Sequence, residues 1–346
     1  MKYQNIAAYS IKGLAQQQVE SDKEIVFDSK SGFRAILTSN PDIHCFKDDQ
    51  NRAVSRLMLS SIFDFDKLDT FEEQLADEIK EIQKSRKQSF GTGLYLVCLT
   101  EGSVDKFEPS CSRETDDFMI YIDEVLKESI NLVFEPHVFD VLSALVISTD
   151  SVLAFVKVSS SLTFFRDDDK PVYSHAFTGS LTPYIPRTLT PDMIKSVRDW
   201  YKIMISTPDL DQVKKLLVAS LQNEGDKMRS FLSAWTALEV FINKTFTSYE
   251  KQFFKELSNG KYPSVQNQYL ERIQIVMKDK YRLVDKFSLI TSLLSPKSAD
   301  EDMKFFKTAK DKRDKLSHGQ DLVEAALPVE EVQKLARKYL QLHLAN

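Results

Sequence analysis

A proline-rich stretch interrupts the chain near its middle. Between Thr178 and Pro191 it contains one glycine and three prolines, surrounded by serine and threonine. Because these residues break regular structure, the stretch predicts a domain boundary. Thr190 as N-cap and Pro191 at the first helical position then favour the start of a helix. We therefore expect one domain at residues 1–185 and a second at residues 186–346.

The second domain has the sequence pattern of helices throughout. Apolar residues recur there at spacings of three and four, which is the period of amphipathic helices. The predicted helices cover about 191–205, 209–222, 226–257, 265–280, 283–294, 299–317 and 328–344. The stretch Phe231–Ile242 is apolar on almost every side, so we expect it at the centre of a helical bundle.

Glu239 is the exception within that apolar stretch. A buried carboxylate without a partner is costly, so we expect Glu239 to pair with an arginine or to lie at an exposed edge.

The first domain mixes strand and helix patterns. Alternating or continuous apolar runs bounded by turn residues predict strands, whereas a period of three and four predicts helices. Strands are expected at 24–27, 33–37, 94–99, 151–158 and 161–165, with the first two and the last two forming pairs, and helices at 52–63, 70–85 and 138–147. The predicted fold class is an α+β N-terminal domain followed by an all-α helical-bundle domain.

Composition narrows the classes of protein. Hydrophobic residues make up 42% of the chain and charged residues 28%, which is typical of globular proteins. No continuous apolar run approaches the roughly 20 residues that span a bilayer, and no apolar signal segment follows Met1, so we expect a cytoplasmic protein without a membrane segment. Cys45, Cys98 and Cys111 are widely spaced, and Asp167–Asp169 is typical of a solvated turn, so we expect no metal and no cofactor.

Charge differs between the two domains. Residues 186–346 hold 27 lysines and arginines against 21 aspartates and glutamates, whereas residues 1–185 hold 19 against 30. The net charges are therefore +6 and −11, which suggests different partners for the two domains. The acidic domain suits a protein partner better than RNA.

The basic domain contains the most suggestive short motif. Arg313, Asp314 and His318 precede Gly319 at the predicted end of a helix. An arginine offers a permanent cation for a phosphate, and a histidine carries a proton near neutral pH, so phosphodiester chemistry is one interpretation. The other interpretation is a helix cap, because a histidine in the last turn followed by glycine stabilises a helix end. Five helical residues rotate by about 140°, so Arg313 and His318 of one straight helix would not converge.

Lysines surround this motif on the same predicted helix. Such a density is typical either of a solvated helix surface or of a track for phosphates. The candidates for RNA binding are Lys307, Lys310, Lys312 and Lys315.

The segment from Phe305 to Gly319, together with the upstream stretch Trp235–Glu239, resembles the HEPN superfamily. The likeness is to the ApeA-like branch, which is found in bacterial phage-defence proteins. The family motif is an arginine, a polar residue that is usually Asn, Asp or His, and a histidine after three or more further residues; Arg313, Asp314 and His318 match it. The resemblance covers about the last 150 residues and leaves residues 1–180 unexplained.

The resemblance implies a metal-independent endoribonuclease. In such enzymes two HEPN domains form a homodimer, and each site contains groups from both chains. His318 would act as general base on the RNA 2′-hydroxyl or as acid to the leaving 5′-oxygen, and Arg313 would stabilise charge on the scissile phosphate. Asp314 would orient one of these groups, Glu239 would be a supporting residue of the site, and the product would end in a 2′,3′-cyclic phosphate. The biological role implied is that of an abortive-infection toxin. The acidic charge of residues 1–185, and not the resemblance, suggests that they respond to a phage-derived trigger or a regulatory protein.

Two alternatives remain open from the sequence. The helical domain is a non-catalytic binding or assembly module if Arg313 and His318 serve only as salt-bridge and cap residues. A weaker alternative is regulation by nucleotide transfer, because some HEPN proteins are modified on a tyrosine near the motif. Tyr339 is the nearest downstream candidate.

Overall fold

The chain forms two compact units, Met1–Tyr201 and Lys202–Asn346. The sequence-based boundary, after residue 185, precedes this division. The computed structural model describes residues 1–12, 14–16, 24–28, 32–41, 49–50, 52–53, 56–57, 71–89, 93–105, 110–112, 119–121, 124–149, 153–165, 171–178, 187–222, 226–258, 268, 271–273, 275–276, 280–319 and 323–346.

A six-stranded antiparallel sheet forms the centre of the first unit. Its strands, given from one edge to the other, are β3 (Ile25–Asp28), β4 (Phe33–Thr38), β5 (Leu94–Ser103), β1 (Lys2–Lys12), β8 (Ala154–Phe165) and β9 (Pro171–Thr178). Two smaller sheets pair β2 (Leu14–Gln16) with β10 (Arg187–Leu189) in parallel and β6 (Ser110–Ser112) with β7 (Met119–Tyr121) in antiparallel. The predicted pairing of 24–27 with 33–37 is confirmed by β3 and β4.

The prediction of two paired strands at 151–158 and 161–165 is wrong. Within the described residues, 154–165 form the single strand β8, and Ser159, Ser160 and Ser161 continue its pairing with β1. The register shifts where Ala8 faces Ser159 and Tyr9 faces Lys157, so this part of the strand contains an irregularity of the β-bulge type. The serine stretch contains no glycine, proline or asparagine to supply a tight turn, which explains why strand pairing continues and no hairpin forms there.

Two helices are described in full in the first unit, α1 (Phe71–Ser89) and α2 (Glu124–Ser148). Buried Ile130 of α2 packs with Leu162 and Phe164 of β8. By length and composition alone, the stretch Val125–Ser148 of α2 could cross a membrane. Its most apolar window of 18 residues has a mean hydropathy of 1.6, and 61% of that window is buried in the fold. Of α2, the sequence predicts only the part at 138–147, because acidic side chains interrupt the apolar pattern before it.

The described residues of the second unit are mainly helical. Including the helix that joins the two units, the helices are α3 (Pro191–Ile205), α4 (Asp211–Gln222), α5 (Lys227–Ser258), α6 (Leu283–Leu294), α7 (Ala299–Ser317) and α8 (Val329–Leu344). The predicted succession of an α+β part and a helical part is therefore confirmed. Most of each helix predicted at 52–63 and 265–280 lies outside the described residues, as do Cys45 and Asp167–Asp169.

A cluster of buried aromatic rings holds α7 against its neighbours. The ring of Phe306 on α7 lies 5.0 Å from that of Trp235 on α5 and 4.3 Å from that of Phe287 on α6. The Phe287 ring in turn lies 4.9 Å from that of Tyr339 on α8. Large aromatic rings bury much apolar surface, and pairs of rings prefer particular relative orientations. The contacts among these rings therefore fix how α5 and α7 face each other. Arg313, about two turns after Phe306, thereby comes to lie opposite Glu239.

Candidate functional site

Arg313 connects two helices through its guanidinium group. Its Nη2 donates to both carboxylate oxygens of Glu239 on α5, at 3.0 Å and 2.9 Å, and its Nη1 donates to Oδ1 of Asp314 at 2.9 Å. The side chains of Arg313 and Glu239 are each 29% exposed. Glu239 thus has the arginine partner that the cost of burying a lone carboxylate predicts.

Trp235 completes the surroundings of Glu239. It lies four residues earlier on α5, and its indole Nε1 donates to Oε2 of Glu239 at 3.1 Å. The Arg313 guanidinium carbon lies 5.9 Å from the centre of the same indole ring. From the sequence Trp235 was expected only to fill the core. The signal that could have revealed its second contact is the spacing of four residues between Trp235 and Glu239, which places them on one helix face.

Asp314 joins a second cation to the cluster. Lys310, one turn earlier on α7, donates to its Oδ2. The hydrogen bond from Lys310, followed by the charges of Lys310 and Arg313, holds the pKa of Asp314 below its usual value. The hydrogen bond to Glu239 raises the pKa of Arg313 further above its already high value. Two cations and two carboxylates therefore balance one another, and Arg313 remains charged at every physiological pH.

The lowered pKa of Asp314 makes a prediction for pH-dependent stability. A carboxylate with a depressed pKa stabilises the fold above its unfolded pKa and loses that contribution as pH falls through the folded one. We expect Asp314→Asn to melt below the wild type at neutral pH, and the difference to shrink as pH falls below about 4 and to vanish below the lowered pKa of Asp314. Thermal melts at a series of pH values measure this. Asp311→Asn is the matched control, because Asp311 is exposed on the same helix and makes no ion pair among the described residues. Identical pH profiles for the two variants would contradict the role given to Asp314.

His318 ends α7 and is exposed. Its backbone N–H donates to the carbonyl of Asp314 at 3.0 Å, and Gly319 follows with a φ of +68°. This is the glycine-terminated helix end that the sequence predicts. Among the described residues, no hydrogen bond or ion pair joins the imidazole to Arg313, Asp314 or Glu239. Since five residues of helix rotate by about 140°, His318 and Arg313 of one chain face different directions.

The four lysines proposed for RNA binding are not equivalent. Lys310 is engaged with Asp314, and Lys312 donates to the carbonyl of Ala326. Lys307 and Lys315 are exposed, and neither forms an ion pair within the described part of the chain. Their positions on the helix, counted at 100° per residue, place both on the same face as His318. The acidic Asp311 lies between them on that face.

Tyr339 is not available for modification in this structure. It is fully buried, and its hydroxyl donates to Oδ2 of Asp302 at 2.7 Å. Lys338 and Ser298 also donate to the same carboxylate oxygen. These contacts give Tyr339 a packing role, which removes it as the target of nucleotide transfer in the folded chain.

No protein-family model matches this sequence, and it has no significant match among curated proteins or solved structures. Within the described residues, no three His, Cys, Asp or Glu side chains come together in a group that could hold a metal ion. The resemblance to the HEPN superfamily therefore stays a prediction from the sequence motif.

Proposed function

We propose that the chain is a metal-independent endoribonuclease of the HEPN type. The observation that carries this proposal is the placement of Arg313. Its guanidinium is tied to Glu239 and Asp314 yet is 29% exposed, and the exposed His318 lies at the end of the same helix. A permanent cation held in place can bind a phosphate, and an exposed imidazole can transfer a proton. The two groups together suit the cleavage of a phosphodiester.

RNA supplies the nucleophile for this reaction, since its own 2′-hydroxyl attacks the neighbouring phosphorus. His318 takes the proton from that hydroxyl or delivers one to the leaving 5′-oxygen. Arg313 stabilises the extra negative charge on the phosphoryl oxygens, and Asp314 orients Arg313 through its Nη1. The products are a 2′,3′-cyclic phosphate and a free 5′-hydroxyl. Lys307 and Lys315 contact neighbouring phosphates of the strand.

A homodimer accounts for the opposed directions of Arg313 and His318. A two-fold axis can bring His318 of one chain to Arg313 of the other, and it generates two equivalent pairs. Each pair would then form a site that neither chain contains alone.

Mixing two inactive variants tests this arrangement. Arg313→Gln and His318→Ala are each expected to lack activity, whereas random mixing should restore about a quarter of the wild-type rate, because half of the dimers are mixed and each has one intact site. Cleavage of an end-labelled RNA in the presence of a metal chelator, with identification of cyclic phosphate ends, is the measurement. No recovery after subunit exchange would contradict a shared site. No cleavage by the wild type across varied RNA substrates would contradict the nuclease itself.

A non-catalytic role for the helical unit is the second candidate. It is favoured by the contacts of Arg313, because Glu239 and Asp314 already neutralise its charge within the chain. In that case Arg313 and His318 stabilise α7, and the helical unit serves as a binding or assembly module. The exposed His318 separates the two candidates, since its removal would then change no RNA cleavage.

The cellular role that fits the nuclease is that of a cytoplasmic anti-phage toxin. Residues 1–185, with their net charge of −11, would meet a phage-derived trigger or a regulatory protein. Growth of bacteria that express the wild type or His318→Ala, with and without phage infection, tests this role. Equal growth and equal phage yield with both proteins would argue against it.

A further inference from the structure

We infer that Trp235 is a positioning residue of the proposed nuclease, which fixes the guanidinium of Arg313 by way of Glu239. This inference rests on the proposed function. It adds a residue that touches neither substrate nor reacting atoms and that acts through the carboxylate it holds.

The indole of Trp235 donates to the same Glu239 oxygen that binds Arg313. Nε1–H is the only donor that tryptophan has, and it is given to Oε2 of Glu239 at 3.1 Å. The same Oε2 accepts from Nη2 of Arg313 at 2.9 Å. The Glu239 carboxylate therefore accepts a hydrogen bond from Trp235 on its own helix, α5, and another from Arg313 on α7. Together the two contacts limit rotation of the Glu239 side chain.

The indole ring is itself fixed and also faces the arginine. Trp235 is 1% exposed, and its ring stacks on Phe306 at 5.0 Å between centres with 29° between planes. The Arg313 guanidinium carbon lies 5.9 Å from the ring centre, at the outer limit of a cation–π contact. One rigid side chain thus sets the position of Arg313 through its donor and through its ring.

A positioning role differs from a packing role in what it does to catalysis. Charge stabilisation in the transition state depends on donors that are already in place, and a misplacement of about 1 Å is costly. Losing the indole donor should therefore slow the chemical step while leaving RNA binding by exposed lysines unchanged. A residue that only fills the core would affect the amount of folded protein instead.

Trp235→Phe tests the inference, because phenylalanine keeps an aromatic ring and lacks the donor. We expect kcat to fall about tenfold with KM within about twofold of wild type. Trp235→Leu, which has no side-chain donor, is the second variant if the first does not fold. Melting temperatures and circular dichroism establish the folded fraction for every protein.

Trp235→Phe loses a side-chain donor and aromatic volume, and two control substitutions on α5 each reproduce one of these losses. Tyr249→Phe removes one side-chain donor, the hydroxyl that lies 2.6 Å from Nδ1 of His343. Phe241→Leu removes aromatic volume from an equally buried position. Both are expected to keep kcat within about twofold of wild type.

The outcomes separate the inference from the proposed function. If Trp235→Phe cleaves RNA as fast as the two controls, the positioning role is overturned and the nuclease stands. If the wild type shows no cleavage that depends on His318, both are overturned. A fall in kcat confined to the Trp235 variants supports the inference.

Discussion

Replacing His318 with alanine is expected to lower the rate of RNA cleavage by about 10²–10⁴-fold, the usual contribution of a general acid or base. The same change should leave the free energy of unfolding within about 0.5 kcal/mol, because the side chain is exposed. Few substitutions combine a large loss of activity with so small a structural cost. Single-turnover cleavage and denaturant unfolding of the same preparations measure the two quantities.

Lys315→Ala is the matched control for this substitution. Lys315 is exposed and lies in the last turn of α7, three residues before His318. Its loss removes one phosphate contact, so we expect weaker RNA binding at low salt and an unchanged cleavage rate at saturating RNA. If His318→Ala and the wild type cleave at the same rate, His318 is a helix cap and not a catalytic residue.

The pair formed by Arg313 and Glu239 is expected to be strongly coupled in stability. Neutralising either partner leaves the other in a site only 29% exposed, so each single substitution to glutamine should destabilise the chain by about 2 kcal/mol. The double variant should lose less than the sum of the two, with a coupling energy of about 1–2 kcal/mol. Urea unfolding of the wild type, Arg313→Gln, Glu239→Gln and the double variant completes the cycle.

A solvent-exposed ion pair provides the comparison. Lys334 and Glu330 lie one turn apart on α8, 3.8 Å from each other and more than half exposed. The same cycle at these two residues should give about 0.5 kcal/mol or less, because water screens the pair. Equal coupling energies in the two cycles would contradict the view that burial makes Arg313 and Glu239 dependent on each other.

The helices from residue 191 onwards could be predicted closely from the sequence. Those at 191–205, 283–294 and 299–317 have the predicted bounds. Their ends carry local signals, such as Pro191 at one start and Gly319 after one end, and their apolar period extends over several turns. Helix-end residues and apolar periodicity can both be read from a short stretch of sequence.

The sheet could be predicted only in part, because its pairing is not local. Strand β1 was not predicted, although Ile6, Ala7, Ala8 and Ile11 are buried in it. This strand has no hairpin partner beside it in sequence, and its neighbours β5 and β8 come far later in the chain. Local turn signals identify hairpins, as they did for β3 and β4. They do not identify a strand whose pairing partners are distant in sequence.

The candidate site shows the same limit. The need of Glu239 for a partner follows from its apolar surroundings, and an arginine meets that need. The contacts of Trp235 with Glu239 and Arg313 depend on how α5 and α7 pack through Phe306, which a sequence pattern does not specify. Residues that act through a second side chain are therefore the ones most easily mistaken for core.

The central place of β1 has a consequence for how the first unit is made. In β1, Ile6 pairs with Leu99 on one side and with Ser161 on the other, so its partners are synthesised roughly 90 and 150 residues later. During translation this apolar strand is available long before either neighbour, and contacts so distant in sequence form slowly. The centre of the sheet, where β1 lies between β5 and β8, can form only after β8 has emerged from the ribosome. Until then, the apolar side chains of β1 do not have both of the strands between which they are buried in the fold.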